Sequence, residues 1–470
     1  MQRWHLTAGL AGAAALAALV VPSLHGGGTP VGGLIQDGQP PAPLQPPEPQ
    51  GFDGALVLSA DIDQGALLQG SGQDRYLVVD VRAPDMPGDL RRPVNVAVVM
   101  DTSGSMAGRG KIDNARMAAA ELIGQLGPQD TFSLVTFSDR ARVVVPSSSV
   151  TDPVGLRRLV SGIRPAGGTY LSAGLEQGLA QLASPDMEGV RRVILLSDGM
   201  ANIGVTDRAT LARTAGSLVE QGITVSALGL GLDYDEDLLT AMSDAGGGAY
   251  HFVDRPGQLA SLFGQELQQM SRLAGREVAV DVHLPPGVHL SEVYGYSAST
   301  STDGYRVFLG DVHGGEARKI VARVHVDDAS VGTLKVADVD LAYLDADSGK
   351  HSLEKVAVAA QVTRDTALAR ASLNKGVGSA AIRAKVGTIL ENSARDFADG
   401  DVAGNQRQLE DAKAELRAAS ATYGAPELEA DASDIEEQRM AFESAAAAPA
   451  SEPALYQVKK AKEDARGYAR

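Results

Sequence analysis

The 470-residue chain contains no cysteine. Disulfides, thiolate metal ligands and a lipid-bearing cysteine are therefore excluded. Aromatic residues make up only 4%, so the cores must be built from Val, Leu, Ile and Ala. Positive charge is also short: 42 Lys and Arg face 59 Asp and Glu, for a formal net charge of −17. That balance speaks against nucleic acid or anionic lipid as the main partner and suits a soluble, cation-attracting surface. Past the N-terminal segment no run is long and apolar enough to span a bilayer, so this chain alone forms no helical pore. His-Glu-x-x-His is missing, and the glycines at 229–231 and 246–248 are not followed by Lys-Ser or Lys-Thr. A zinc protease and a phosphate-binding loop are both disfavoured.

What is present divides the chain into segments. Arg3 and His5 precede an apolar block, Leu6 to Val21, closed by Pro22 and glycines. Residues 1–25 are expected to be a secretory signal peptide or a retained membrane anchor, placing the protein in the periplasm or on the cell surface of a bacterium. Any membrane attachment would then run through residues 6–21. Residues 26–50 are a Gly- then Pro-rich linker favouring extended, solvated backbone. Residues 51–92 hold two alternating runs, Ala55 to Ser59 and Tyr76 to Val81, that read as strands of a flanking β-domain. From 93 to 273 strands and helices alternate, the rhythm of an α/β unit with a doubly wound, mostly parallel sheet. Residues 274–364 turn to period-two alternation, with Val278, Val280 and Val282 on one face and Ile320, Ala322 and Val324 on another. That is an antiparallel sandwich, which the strands before residue 92 would complete, making the α/β unit an insertion. Residues 365–470, rich in Ala, Glu and Lys, are expected to be helical with a disordered tail.

The most informative stretch is Val94 to Ala107. A near-continuous apolar run reads as a strand buried on both faces, and it leads into Asp101, Ser103 and Ser105. In doubly wound sheets ligands sit beyond the carboxyl ends of the strands. A carboxylate and two hydroxyls at alternate positions on one turn suit a small, oxygen-loving cation. Thr169, in a Gly-Gly-Thr loop before a helix, and Asp198, ending a second central strand, come to the same rim. Taken alone, Asp-x-Ser-x-Ser also fits a polar turn in which Ser103 or Ser105 caps the next helix.

These pieces together resemble the metal-ion-dependent adhesion site of von Willebrand factor A domains: Asp101-Thr102-Ser103-Gly104-Ser105, then Thr169, then Asp198-Gly199. The resemblance runs from about Pro93 to Gly264. It implies a Rossmann-like fold in which Asp101, Ser103, Ser105, Thr169 and Asp198 bind Mg²⁺, with Mn²⁺ or Ca²⁺ as alternatives. Three neutral hydroxyls and two carboxylates would leave that ion electrophilic. The resemblance further implies a partner protein whose Glu or Asp carboxylate completes the coordination shell. The segment from Leu239 to Val253, with Leu-Pro-Pro-Gly-Val and Leu-Gly-Asp-Val in the sandwich, is similar to bacterial exported proteins related to inter-alpha-trypsin inhibitor heavy chains.

Other candidates are weaker. Asp345-Ala-Asp347-Ser-Gly349 resembles half of a calcium loop, but Val356 stands where a bidentate Glu belongs, so a hairpin turn is expected. His283, His289 and His325 lack metal-ligand spacing and fit exposed strand faces. No base accompanies Ser103 or Ser105, which disfavours an enzyme. The expected function is thus a non-enzymatic, metal-dependent adhesion or assembly module. A structural envelope scaffold, in which the metal only stabilises the domain and the C-terminal helices bind partners, is the rival. An export segment sits poorly with a third class, the cytosolic ATPase or chelatase subunit.

Overall fold

A computed structural model describes residues 55–70, 72–85, 92–184, 189–449 and 451–469. The expected signal or anchor and the Pro-rich linker lie outside these residues. The first strands are β1 (Val57–Ile62), β2 (Ala66–Leu68) and β3 (Gln73–Arg82). In β1 and β3 apolar and polar positions alternate, with Leu58 and Ile62, then Leu77, Val79 and Val81, turned inward.

The α/β unit follows. It comprises β4 (Val94–Asp101), α1 (Lys111–Gln125), β5 (Thr131–Phe137), β6 (Ala141–Ser149), α2 (Pro153–Ser161), α3 (Leu171–Leu182), β7 (Val190–Ser197), α4 (Arg208–Gly216), β8 (Ile223–Leu230), α5 (Glu236–Ala245), β9 (Gly247–Val253) and α6 (Leu259–Ser271). Its sheet runs β6-β5-β4-β7-β8-β9, parallel except for the edge strand β6. Every residue of β4 and β8 is buried, because both faces of the sheet are covered. Ile112, Ala115 and Ala119 of α1 pack with Phe263 and Met270 of α6 on one face. Leu171 and Leu175 of α3, Leu211 of α4 and Leu238 and Met242 of α5 close the other. From β4 the chain adds β5 on one side and β7 on the other, so the strand order reverses beside β4. That switch point leaves a crevice beyond the carboxyl ends of β4 and β7.

The chain then returns to β-structure: β10 (Leu273–His283), β11 (Val288–Tyr294), β12 (Ala298–Ser301), β13 (Gly304–His313), β14 (Ala317–Val326), β15 (Gly332–Asp345) and β16 (His351–Thr363). One sheet runs β1-β3-β14-β11 and the other β12-β13-β10-β15-β16-β2. Their inward residues form one core, from Leu77 and Val79 to Val280, Val307, Val324 and Leu341. Strands on either side of the α/β unit thus share both sheets, and that unit is inserted between β3 and β10. Asp345 caps the β15–β16 turn, accepting from the amides of Asp347 (3.0 Å) and Ser348 (2.7 Å). His289 and His325 face each other across β11 and β14, and each pairs with a half-exposed carboxylate, Asp327 at 3.1 Å and Asp74 of β3 at 2.7 Å.

Five helices end the chain: α7 (Thr366–Ala371), α8 (Lys375–Ala398), α9 (Val402–Tyr423), α10 (Glu427–Ala445) and α11 (Glu452–Ala469). Val377, Ala381 and Ala384 of α8 pack on Val78, Tyr294 and Val321 of the four-stranded sheet. The tail expected to be disordered is helical through Ala469. Its fully buried apolar residues are the small Ala454, Ala461 and Ala465, with Val458 and Tyr468 half-buried beside them, a stripe too thin to be conspicuous in sequence, and the tail is held by charge pairs with the α/β unit. Helix α4 stops at Gly216, and a separate 3₁₀ turn spans Val219–Gln221. Position 216 abuts α5, where an added Cβ would lie 2.8 Å from the Ala245 carbonyl. Among the described residues no helix is long and apolar enough to cross a membrane.

Candidate metal centre

The crevice at the switch point gathers hard oxygens. Asp101 ends β4, and Ser103 and Ser105 lie on the following turn, which runs into the 3₁₀ segment Gly104–Ala107. Asp198 follows β7 directly. Thr169 arrives on the loop before α3. The Ser103 and Ser105 hydroxyl oxygens stand 3.0 Å apart, and Ser105 Oγ donates to Asp198 Oδ1 at 2.7 Å. The backbone amide of Ser103 donates to Asp101 Oδ1 at 2.8 Å, and Ser197 Oγ donates to Asp101 Oδ2 at 2.7 Å. A methyl group at position 199 would stand 3.4 Å from Thr169 Oγ1 and 3.7 Å from Ser105 Oγ. Both hydroxyls therefore border the space that Gly199 leaves open.

Backbone hydrogen bonds tie the Gly-Gly-Thr loop to the serine turn. Gly104 N donates to the Gly167 carbonyl at 3.0 Å, and Ala166 N to the Thr102 carbonyl at 2.7 Å. Asp139 Oδ1 accepts from Gly168 N at 2.7 Å, while Asn202 Oδ1 accepts from Thr169 N at 2.9 Å. Gly167 has φ of +82°, and a side chain there would stand 2.4 Å from Asp139 Oδ2. Glycine is required at that position both for backbone conformation and for room.

Burial sets the electrostatics. Asp101, Ser103, Thr169 and Asp198 are buried, whereas Ser105 is exposed and marks the open side. Desolvation pushes the Asp101 carboxyl above its ordinary value, and the Asp198 charge adds to that push. Hydrogen bonds from Ser103 and Ser197 oppose it. Lys111, the first residue of α1, reaches into the cluster, with Nζ 2.6 Å from Asp198 Oδ2.

The structure brings all five candidate residues to one rim. Sequence reasoning missed their supports: Ser197, Asp139, Asn202 and Lys111. One sign was present for Lys111, since a cation in the first turn of a helix opposes the helix dipole and usually has a local reason. The donor set of hydroxyls and carboxylates, with no nitrogen or sulfur, is the chemistry of a hard cation such as Mg²⁺.

Residues 95–265 match the family model of the von Willebrand factor type A domain. An uncharacterised protein of Synechocystis, sll0103, is 27% identical over 313 residues, 64% of this chain and 73% of that one. Human inter-alpha-trypsin inhibitor heavy chain H4 is 31% identical over 207 residues, 42% of this chain. The chain spans only 22% of the length of that heavy chain. Among solved structures, a von Willebrand factor type A protein from Catenulispora acidiphila superposes with a TM-score of 0.64 at 20% identity, covering 84% of this chain and 90% of that one. At such identity the likeness is one of fold.

Proposed function

We propose that this chain, which carries a von Willebrand factor type A domain over residues 95–265, is an exported, non-enzymatic module that captures a partner protein through a divalent metal. The carrying observation is the convergence of Asp101, Ser103, Ser105, Thr169 and Asp198 at the switch point, with one exposed side. Those five residues would hold Mg²⁺. Bound there, the ion supplies a position that a Glu or Asp carboxylate of the partner fills.

The protein's own side chains shape that position. Ser197 and the Ser103 amide fix the Asp101 carboxylate, so its oxygens are aimed before any ligand arrives. Ser105 and Lys111 hold the two oxygens of Asp198. Asp139 and Asn202 keep Thr169 against the rim. Such preorganisation lowers the entropy lost on binding. The apolar block from Leu6 to Val21 supports export to the periplasm or cell surface.

The test is capture from a bacterial envelope extract on immobilised protein in Mg²⁺, followed by elution with a chelator. The wild-type domain should retain a partner that chelator releases, and Asp101→Ala should retain none. Equal retention by both proteins, or retention that survives chelation, would overturn the reading.

A further inference from the structure

Among the described residues, Lys111 stands out as a cation sealed into the candidate centre. Its side chain is 7% exposed and that of Asp198 0%. Burying an ammonium is expensive, and the amino end of a helix repels it further. A hydrophobic residue would serve the packing of α1 at lower cost. The charge itself must therefore have a use, and its geometry shows where: Nζ lies 2.6 Å from Asp198 Oδ2 while Ser105 Oγ holds Oδ1 at 2.7 Å.

We propose that Lys111 sets the net charge of the centre so that the metal-loaded site selects an anionic ligand, a carboxylate, over water or a neutral oxygen. This rests on the metal-dependent reading above. Asp101 and Asp198 contribute two negative charges and Lys111 offsets one of them. A divalent cation then leaves the site with a surplus of one positive charge, which a carboxylate neutralises. Without the ammonium the loaded site would already be neutral, and an incoming carboxylate would gain little. The same ammonium competes with the metal for Asp198. Lys111 thus weakens metal binding and strengthens carboxylate capture, and these opposite signs distinguish it from a residue that only supports the fold. It acts through Asp198 and is a positioning residue.

The experiment compares the full chain with Lys111→Met and Lys111→Arg. Mg²⁺ affinity is measured by calorimetry, and carboxylate affinity by line broadening of acetate on the Mn²⁺-loaded protein. Lys111→Met should bind Mg²⁺ about tenfold more tightly, the scale of one removed charge a few ångström away in a wet rim. It should bind acetate at least several-fold more weakly, and its melting temperature should rise more on adding Mg²⁺ than that of the wild type. Lys111→Arg should keep the wild-type order of both affinities. If Lys111→Met does not fold, Lys111→Gln, polar but uncharged, carries the same expectation. Loss of both affinities in the neutral variants, or no change in either, would overturn the proposal while leaving the metal site in place. Failure of the wild type itself to bind Mg²⁺ would instead overturn the reading on which the proposal rests.

Discussion

Asp101, Asp198 and Thr169 hold their places through different means, and each means has its own weak point. The two carboxylates sit at strand ends, where the sheet fixes the backbone and serine hydroxyls fix the oxygens. Thr169 has no such frame. Its loop depends on Gly167 in the left-handed region and on the Asp139 carboxylate that caps Gly168. Gly167→Ala should therefore cost about 1–2 kcal/mol through backbone strain. It should also weaken Mg²⁺ binding by roughly tenfold, on the scale of one displaced ligand contact. Calorimetry together with a thermal melt checks this. A variant with an unchanged melt and unchanged affinity would show that the loop tolerates the side chain and that Thr169 does not depend on it.

The helices and strands were legible in proportion to how evenly they separate apolar from polar positions. The run from Val94 to Asp101 announces a buried strand, and the alternation in Val278, Val280 and Val282 announces a sandwich face. Helix α6 is hard to read from sequence because a carboxylate interrupts its buried stripe. Glu266 lies between Phe263, Leu267 and Met270, buried with them. Helix α11 is hard to read because its order comes from partners distant in sequence. Lys462 pairs with Asp237 at 2.7 Å, Arg466 with Glu236 at 3.3 Å, and Lys459 lies 3.7 Å above the Tyr234 ring. Near its start Glu452 pairs with Arg109, beside the serine turn. The centre itself was legible as donors but not as supports: Lys111 and Asp198 are 87 positions apart, and no local pattern links them.

Helix α11 also carries a pH dependence. Burial pushes the Lys459 ammonium down to about 8, against the attraction of Glu236. In the unfolded chain a lysine keeps its proton to about 10.4. Between these values the unfolded state binds more protons, so stability rises with pH. The gain should approach about 3 kcal/mol if the whole difference is realised. Urea denaturation at pH 7.5, 8.5 and 9.5, followed on α11, should show this rise in the wild type and not in Lys459→Met. Parallel slopes in the two proteins would assign the effect elsewhere.

At the scale of the molecule, the α/β unit hangs from the sandwich by its base. Arg92, at its entry, donates to the Ala346 carbonyl and pairs with Asp347, while Ala346 N donates to the Ala274 carbonyl at its exit. Arg192, at the start of β7, lies 3.0 Å from Glu266 on α6, 3.2 Å from His313 on β13 and 3.7 Å from Asp311 on β13. Such fully buried pairs specify one arrangement more than they add stability. Burial would raise the Glu266 carboxyl, yet His251, Arg192 and Ser226 together hold it down at about 2. These anchors sit at the amino end of the sheet, while Asp101, Ser105, Thr169 and Asp198 sit at the carboxyl end. The sandwich therefore presents the centre outward, and α11 braces the side of the unit formed by α5 and β9.

The reading of this outward rim as a divalent-cation site held by five oxygen-bearing side chains stands or falls on metal binding itself. Its most direct test is a calorimetric titration of the metal-free protein with Mg²⁺, wild type against Asp101→Ala, with circular dichroism to establish that both are folded. One saturable site is expected in the wild type and none in the folded variant. Equal Mg²⁺ binding by the two proteins, or none by either, would contradict it.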